Sequence, residues 1–453
     1  MALMTPRTGT EAAAAVAPIT VDLPVGRVSS RRRFYPWVVF GLAFALLLSD
    51  YMSRQVLAAV FVPLGQELDL DKGQLGSLIS VVALMVGLLT LPISILADRW
   101  GRVRSLVVMA ILWSLATLAC AFAQSYEQLL IARFFVGVGE AAYGSVGIAL
   151  VLSLFAPRVH AALSASFMAG GSFGTMIGTA LGGVVAVHFG WRWSIGAMAV
   201  LGLLLVAAFK IIVTEGRVRR HQALVDTPDE KQAAPATGSA RAPLSSLFTN
   251  PAVLCAYIGS GLQMFMAAVM LTWLPTFFKE EYSMTVDTAG GAAAFFVLLV
   301  GSGMIVCGVI ADRVSRRDAT RKWTVGIGFC SIAFVSLMIA FALPTGGLQL
   351  ALMAVGAFFS AGCSGTTAAM VASLTHKSVQ ASAMGTLTLA NNLLGLAAAP
   401  FIIGILADHM SLADALKVAP LVYIPAALAM VVGRRMHPRG VAALAALSTA
   451  VEK

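Results

Sequence analysis

Between Trp323 and Thr375 the chain carries no Asp, Glu, Lys or Arg, and the same holds from Ala242 to Phe278 and from Ser378 to Ala407. Uncharged runs of this length constrain the fold more than any motif. A helix in water needs a polar face, whereas a helix in lipid needs about 20 apolar residues and satisfies its own backbone. The first run is too long for one span and breaks at Pro344-Thr345-Gly346-Gly347. Applied along the chain, the same criterion predicts spans at 36–62, 73–97, 104–123, 128–152, 160–187, 192–213, 252–278, 287–311, 322–343, 347–373, 379–406 and 414–433. The whole chain is 59% hydrophobic and 11% charged, against roughly 25% charged in soluble domains. The expected fold is therefore an all-α polytopic membrane protein with about twelve transmembrane helices.

A duplication organises these spans. Asp98-Arg99-Trp100-Gly101-Arg102 follows span 2, and Asp312-Arg313-Val314-Ser315-Arg316 follows span 8 at the corresponding place in the second half. Cationic turns repeated in this way indicate two pseudo-symmetric six-helix bundles. Of the 31 Lys and Arg, Lys72, Arg192 and Lys279 fall in one set of loops, and Arg54, Arg133, Lys210 and Lys417 lie in or at the edges of spans. The other 24 (31 − 7) occupy the opposite loops and the tails. This bias predicts cytoplasmic termini and a cytoplasmic central loop. The net charge of +10 then reflects topology and anionic lipid, and argues against a nucleic-acid partner.

The resulting organisation is an N-terminal tail over 1–35, a first bundle over 36–214, a linker over 215–250, a second bundle over 251–434 and a C-terminal tail over 435–453. Arg31-Arg32-Arg33 before Phe34-Tyr35-Pro36-Trp37 reads as a basic and aromatic anchor, with no cleavable signal apparent. The linker is charged and Ala/Pro-rich without apolar periodicity from Glu215 to Ala242, which predicts flexibility. The five cysteines are scattered and lack paired spacing, so they read as packing thiols; no metal or cofactor is expected.

Charge inside a span is expensive, at roughly 2.5–3.5 kcal/mol on insertion scales, and marks where chemistry belongs. Four residues qualify: Asp50 and Arg54 in span 1, Arg133 and Glu140 in span 4. With opposite span directions, Arg54 lies about 6 Å and Arg133 about 10 Å to the outer side of their acids. Spacings of four and seven residues put each pair on one helix face. The expectation is a compact, nearly neutral quartet serving proton coupling, since separating an acid from its Arg would load a proton. The competing reading is a static buried salt bridge that fixes helix packing.

Gly170, Gly174, Gly178 and Gly182 form a smooth stripe on span 5. Gly170-Gly171-Ser172-Phe173-Gly174 matches a hydrolase pattern, but within an apolar helix the match is chance. No Walker sequence, H-E-x-x-H or paired-ligand His spacing occurs. An enzyme is not expected.

At this level the residues resemble the major facilitator superfamily across nearly the whole chain. Asp98, Arg99, Gly101 and Arg102 are similar to its G-x-x-x-D-R-x-G-R-[RK] loop signature, with Ser94 in place of the leading Gly. In the second copy Gly308, Asp312 and Arg313 match, and Ser315 replaces the inner Gly. Arg133 to Glu140 looks like the span-4 R-x-x-x-G-x-G signature, whose Arg the resemblance implicates in proton transfer. The loop residues Asp98, Arg99, Gly101, Arg102, Asp312 and Arg313 would then form a cytoplasmic gate.

Asp50 to Leu57 resembles the span-1 N-Y-x-D-R-x-x-L pattern of the anion:cation symporters and the spinster-like transporters. Gly137 to Tyr143, the string from Trp273 and the string from Met384 to Gly395 look like the same groups. Ser53 stands where the pattern has its acid and Asp50 where it has Asn, so Asp50, one turn away, would take over the proton role. Span 5 lacks the Gly-Pro pair of drug antiporters. Both Arg54 and Arg133 suit a carboxylate. Tyr51, Tyr143, Gln263, Trp273, Ser364, Asn391 and Asn392 are the remaining candidates for substrate contacts, and Ser360 and Thr366 are further neutral groups of the second half. The expected activity is proton-coupled symport of a small organic anion by a monomer in the bacterial inner membrane. A spinster-like lysolipid or amphiphile carrier and a drug or metabolite exporter are the alternatives.

Overall fold

A computed structural model describes residues 30–156, 159–225, 242–316, 318 and 320–451. By its contacts the chain divides into Met1–Tyr35 and Pro36–Lys453. Of the first unit only Ser30–Tyr35 is described, as the opening of the first helix; the rest of the expected N-terminal tail and the linker residues 226–241 lie outside the described residues.

The described secondary structure is helical, without strands. In chain order the helices are α1 Ser30–Ala59, α2 Phe61–Leu68, α3 Lys72–Trp100, α4 Arg102–Phe122, α5 Tyr126–Glu140, α6 Tyr143–Leu152, α7 His160–Phe189, α8 Trp191–Ile212 and α9 Glu215–Val225. They continue as α10 Ser246–Thr249, α11 Pro251–Glu281, α12 Val286–Val314, α13 Arg321–Ala342, α14 Gly347–Ser360, α15 Ser364–Leu374, α16 Gln380–Ala390, α17 Ala398–His409, α18 Leu412–Val418 and α19 Tyr423–Val451. Twelve membrane-spanning segments result, one at each predicted position. The molecule is an all-α integral membrane protein.

Local chemistry sets the boundaries. Asp71 and Gln74 form a reciprocal capping box at the start of α3. Asn250 caps α11 ahead of Pro251, a residue whose missing N–H costs nothing at a first helical position. Gly101 turns α3 into α4 at φ 99°, in the left-handed region that favours glycine. Glycine also sets helix approach: on α7 a Cβ at Gly174 would lie 2.5 Å from Leu48 O, and one at Gly178 would lie 2.7 Å from Met52 O. The span-5 stripe is therefore the face on which α1 packs.

Three predicted outlines change. The first part of the linker, Glu215–Val225, is helix α9, and Glu215 Oε1 accepts from Val103 N–H at 3.0 Å, capping α4. The predicted C-terminal tail continues α19 as helix to Val451. Spans 4 and 10 are each broken, between α5 and α6 and between α14 and α15, and a π-helical segment, Asn391–Ala397, interrupts span 11.

The two halves meet tightly at the end marked by Lys72. Asp408 accepts from Lys72 N–H at 2.7 Å and Gly73 N–H at 2.8 Å, so a carboxylate of one half closes the positive N-terminus of a helix in the other. Lys72 Nζ also pairs with Glu280 at 2.9 Å. A Cβ at Gly76 would fall 2.2 Å from Pro400 O, and one at Gly183 2.7 Å from Val286 O. At the opposite end, marked by Asp98, the ion pairs among the described residues stay within one half: Asp98 with Arg102 at 3.6 Å and Asp312 with Lys322 at 3.5 Å.

Candidate transport site

Span 1 and span 4 bring the deep charges together, and the closest contact crosses between the two helices. Arg54 Nη2 meets Glu140 Oε2 at 2.7 Å, across the two helices. The neighbouring helix places the Glu140 oxygen directly opposite the Arg54 guanidinium. The Asp50 carboxyl faces that of Glu140 within hydrogen-bonding reach. Its Oδ1 is buried without a hydrogen-bond partner among the described residues.

Arg133 departs furthest from the expected role. It is buried, and its guanidinium donates from Nε to Leu78 O at 3.1 Å and from Nη2 to Arg54 O at 3.5 Å. It ties α5 to α3 and α1 through backbone carbonyls and forms no ion pair with Glu140 among the described residues. Only one guanidinium thus stands against two facing carboxyls. That one is also the reachable one: the Arg54 side chain is 22% exposed and that of Glu140 0%. Arg54 lies over the Tyr51 ring at 5.2 Å, a cation–π contact that orients it. Ser53 does not act in place of an acid: its hydroxyl is buried and bonded back to Ser49 O at 2.6 Å.

Glu140 is the last residue of α5, and the helix restarts at Tyr143. Thr90 Oγ1 on α3 donates to Ala141 O at 2.6 Å, satisfying a carbonyl that the break sets free. Gly139 permits the close approach of α4: a Cβ there would lie 2.6 Å from Trp113 N.

The proposed substrate residues separate into groups. Tyr143 is buried, donates to Ala43 O at 3.0 Å and packs edge-on against Trp113, so it serves helix packing. Trp273 is buried against Phe61. Gln263, buried, accepts from Cys363 N–H at 3.0 Å and donates to Phe359 O at 3.4 Å, bridging the break in span 10. Ser360, Ser364 and Thr366 return their hydroxyls to Ala357, Ala361 and Cys363 carbonyls of the same region. Gln263 and these hydroxyls are committed to the scaffold, because a broken helix in lipid must have its freed groups satisfied locally, whereas Trp273 Nε1 is buried without a partner among the described residues. Asn391 and Asn392 differ. Both sit in the π-helical segment, and each keeps a buried side-chain carbonyl oxygen without a donor among the described residues. Such segments accompany functional sites in many helices.

The expected gate residues do not bridge the halves in this conformation. Asp98, Arg99, Asp312 and Arg313 are exposed, and Arg102 donates to Ala149 O at 3.2 Å within its own half. The contacts that do bridge, through Asp408, Glu280 and Gln55, whose amide donates to Leu271 O, lie toward the other end and were not singled out from sequence. Asp408 gave no signal beyond being a loop acid, since its partner is a backbone helix end with no side-chain signature.

The sequence pattern of the Major Facilitator Superfamily matches residues 42–400. A probable L-galactonate transporter of Escherichia coli is 26% identical over 340 residues, covering 73% of this chain and 74% of that protein. The hexuronate transporter of Bacillus subtilis is 23% identical over 272 residues, 60% of this chain and 63% of its own. Among solved structures, a bacterial homolog of the human lysosomal transporter spinster, in an inward-facing and occupied conformation, superposes with TM-score 0.71 at 16% identity, over 92% of this chain and 97% of that one.

Proposed function

This chain belongs to the Major Facilitator Superfamily, and on that premise we propose that it is a proton-coupled symporter of a small organic carboxylate, working by alternating access. The observation that carries the reading is Arg54, the one partly exposed guanidinium among the deep charges, shared by a buried pair of neighbouring carboxyls, Glu140 and Asp50. A substrate carboxylate takes Arg54 as a bidentate partner and must displace Glu140 to do so. A displaced, ionised Glu140 beside Asp50 would leave two buried carboxylates without a counterion, which is costly. A proton on the pair removes that cost and releases Arg54. Proton and substrate therefore favour each other's binding, and by linkage the coupling is reciprocal. Symport follows if the halves exchange access only when both are bound or both absent.

A carboxylate partner in Arg54 and hydroxyl acceptors in span 11 support the substrate class. The buried carbonyl oxygens of Asn391 and Asn392 are free acceptors and suit hydroxyl donors. Together with relatives named for L-galactonate and hexuronate, this favours a polyhydroxylated acid over a lysolipid. The positive-inside bias puts the Asp98 end and both termini in the cytoplasm. The conformation described, with its Lys72 end latched, is then inward-facing, and the Asp98 and Asp312 loops would pair across the halves in the opposite state. The bundles 36–214 and 251–434 are the moving bodies of a monomer in the plasma membrane.

The test is uptake into proteoliposomes under an imposed pH gradient, with sugar acids, simple aliphatic acids and lysolipids as parallel substrates. Acid-driven accumulation of a hydroxy acid, lost in Glu140→Gln while counterflow exchange persists, is the expected result. Uphill accumulation by Glu140→Gln would remove the coupling assignment, and uptake of lysolipid alone would overturn the substrate class.

A further inference from the structure

Away from the charged pair, the molecule carries a second cationic feature that transport does not explain. Arg434 and Arg435 line a groove of about 480 Å³ between α13 and α19, together with Ile327, Val431 and Pro438. We propose that this groove is a binding site for an anionic glycerophospholipid whose headgroup can donate a hydrogen bond, a phosphatidylglycerol in chemistry. The proposal does not depend on the coupling mechanism.

The floor of the groove is rigid. A Cβ at Gly433 would fall 2.2 Å from the Trp323 ring, and Trp323 Nε1 donates to His437 Nδ1 at 3.2 Å, so the two helices are locked together just beneath the arginines. Its walls open to lipid. Ile424, Leu428, Val431 and Arg435 recur at helical spacing along one face of α19, and Ile424 and Leu428 are exposed. Ile332, Val335 and Ile339 present an exposed apolar stripe on α13. An acyl chain laid along these stripes brings its phosphate to the level of the arginines.

Charge accounting points the same way. The basic residues that open α13 have acids: Arg321 pairs with Asp318 at 3.9 Å and Lys322 with Asp312 at 3.5 Å. Arg434 and Arg435 have no ion-pair partner among the described residues. Two adjacent guanidiniums at a membrane edge lack a protein counterion among the described residues, and a phosphodiester supplies one with matching fork geometry. Pro438 adds the selectivity. It has no N–H to return to the carbonyl four residues earlier, so Arg434 O loses its helical donor at the groove wall. A glycerol hydroxyl can donate there, and a choline cannot. Soluble phosphate would satisfy the arginines but leave the apolar walls uncovered, and the proposal commits to the lipid.

Native mass spectrometry of the detergent-purified full chain tests it, titrated in parallel with phosphatidylglycerol, phosphatidylcholine and phosphatidylmethanol, an anionic lipid without a headgroup donor. The expected order is phosphatidylglycerol above phosphatidylmethanol above phosphatidylcholine, with roughly 30-fold between first and last, as two basic residues at an anionic surface imply. Arg434→Gln with Arg435→Gln should bring phosphatidylmethanol down to the occupancy of phosphatidylcholine and leave phosphatidylglycerol only slightly above both. Ile327→Trp, which fills the groove and leaves the charges, should lower phosphatidylglycerol occupancy with both arginines present. Unchanged lipid preference in the double variant would overturn the proposal, as would full phosphatidylglycerol occupancy in Ile327→Trp. Displacement of the lipid by millimolar inorganic phosphate would likewise overturn it in favour of a soluble anion.

Discussion

Spans 4 and 10 occupy matching places in the two halves and break at matching depths, yet the breaks are put to different use. In span 4 the helix ends on Glu140, and a threonine from α3 holds the free carbonyl of Ala141. In span 10 the helix ends on Ser360, and Gln263 from α11 satisfies both an amide and a carbonyl at the turn. One break carries a charge poised against Arg54, while the other is closed by neutral hydrogen bonds. The difference teaches that a helix interruption in a membrane protein is first a problem of unsatisfied backbone. Under the proposed coupling it becomes functional only where the residue at the interruption has a partner it can exchange.

The sharpest way to break this comparison is Glu140→Gln. Proton-driven accumulation in proteoliposomes should fall on the order of 100-fold, in the range for losing a proton-transfer group, while the melting temperature of the purified protein changes little. A large fall in melting temperature with coupling preserved would make span 4 structural, like span 10. The mirror experiment is Gln263→Leu, which leaves Cys363 N–H and Phe359 O unpaired. It should cost about 1–3 kcal/mol of stability, as for buried groups without partners, read as lowered thermal stability with the pH dependence of transport intact. A lost pH dependence there would give span 10 a coupling role.

A smaller effect is expected at the latched end. Asp408→Asn keeps an acceptor for only one of Lys72 N–H and Gly73 N–H and removes the charge at the helix N-terminus, the charge being worth about 0.3–1 kcal/mol. Distances between spin labels on the loops near Lys72 and Asp408 should broaden toward longer values. An unchanged distribution would assign the latch to glycine packing at Gly76 and Gly404. The smallest effect concerns Glu67, which lies outside the spans. The hydrogen bond from Trp191, and Arg192 with it, holds its carboxyl below the ordinary value. A depressed pKa stabilises the fold above the unfolded carboxylate value and loses that contribution as pH falls through the folded one. Stability of Glu67→Gln should therefore differ from that of the parent at neutral pH and converge with it under acid. A difference that persisted at low pH would rule out the charge as its source.

Much of this was legible in the residues. Twelve spans could be placed because uncharged runs admit no other solution in lipid, and the duplication was visible because both loop copies keep Asp-Arg at the same point. Asp50, Arg54, Arg133 and Glu140 stood out because charge at depth is too costly to be incidental. Pairing was not legible. Helical spacing put Asp50 and Arg54 on one face and Arg133 and Glu140 on another without fixing which would meet, and the closest contact crosses between helices. Gln263, Tyr143 and Trp273 looked like ligand groups because a polar or aromatic residue in mid-span has the same sequence signature whether it faces a cavity or a neighbouring helix.

The sequence by itself determined the solvent this chain folds in, the number of times it crosses that solvent, its internal repeat and the four positions where charge would need an answer. Hydropathy and charge are local properties, and the bilayer reads them residue by residue. Tertiary structure alone decided that Arg54 rather than Arg133 answers Glu140, that the Asp50 carboxyl lies beside that of Glu140, that Gln263 closes a break, and that Asp408 latches one end to a helix it meets only in space. Each of these depends on which helix faces which at a given depth, a relation set by packing between segments distant in sequence and carried by no single segment.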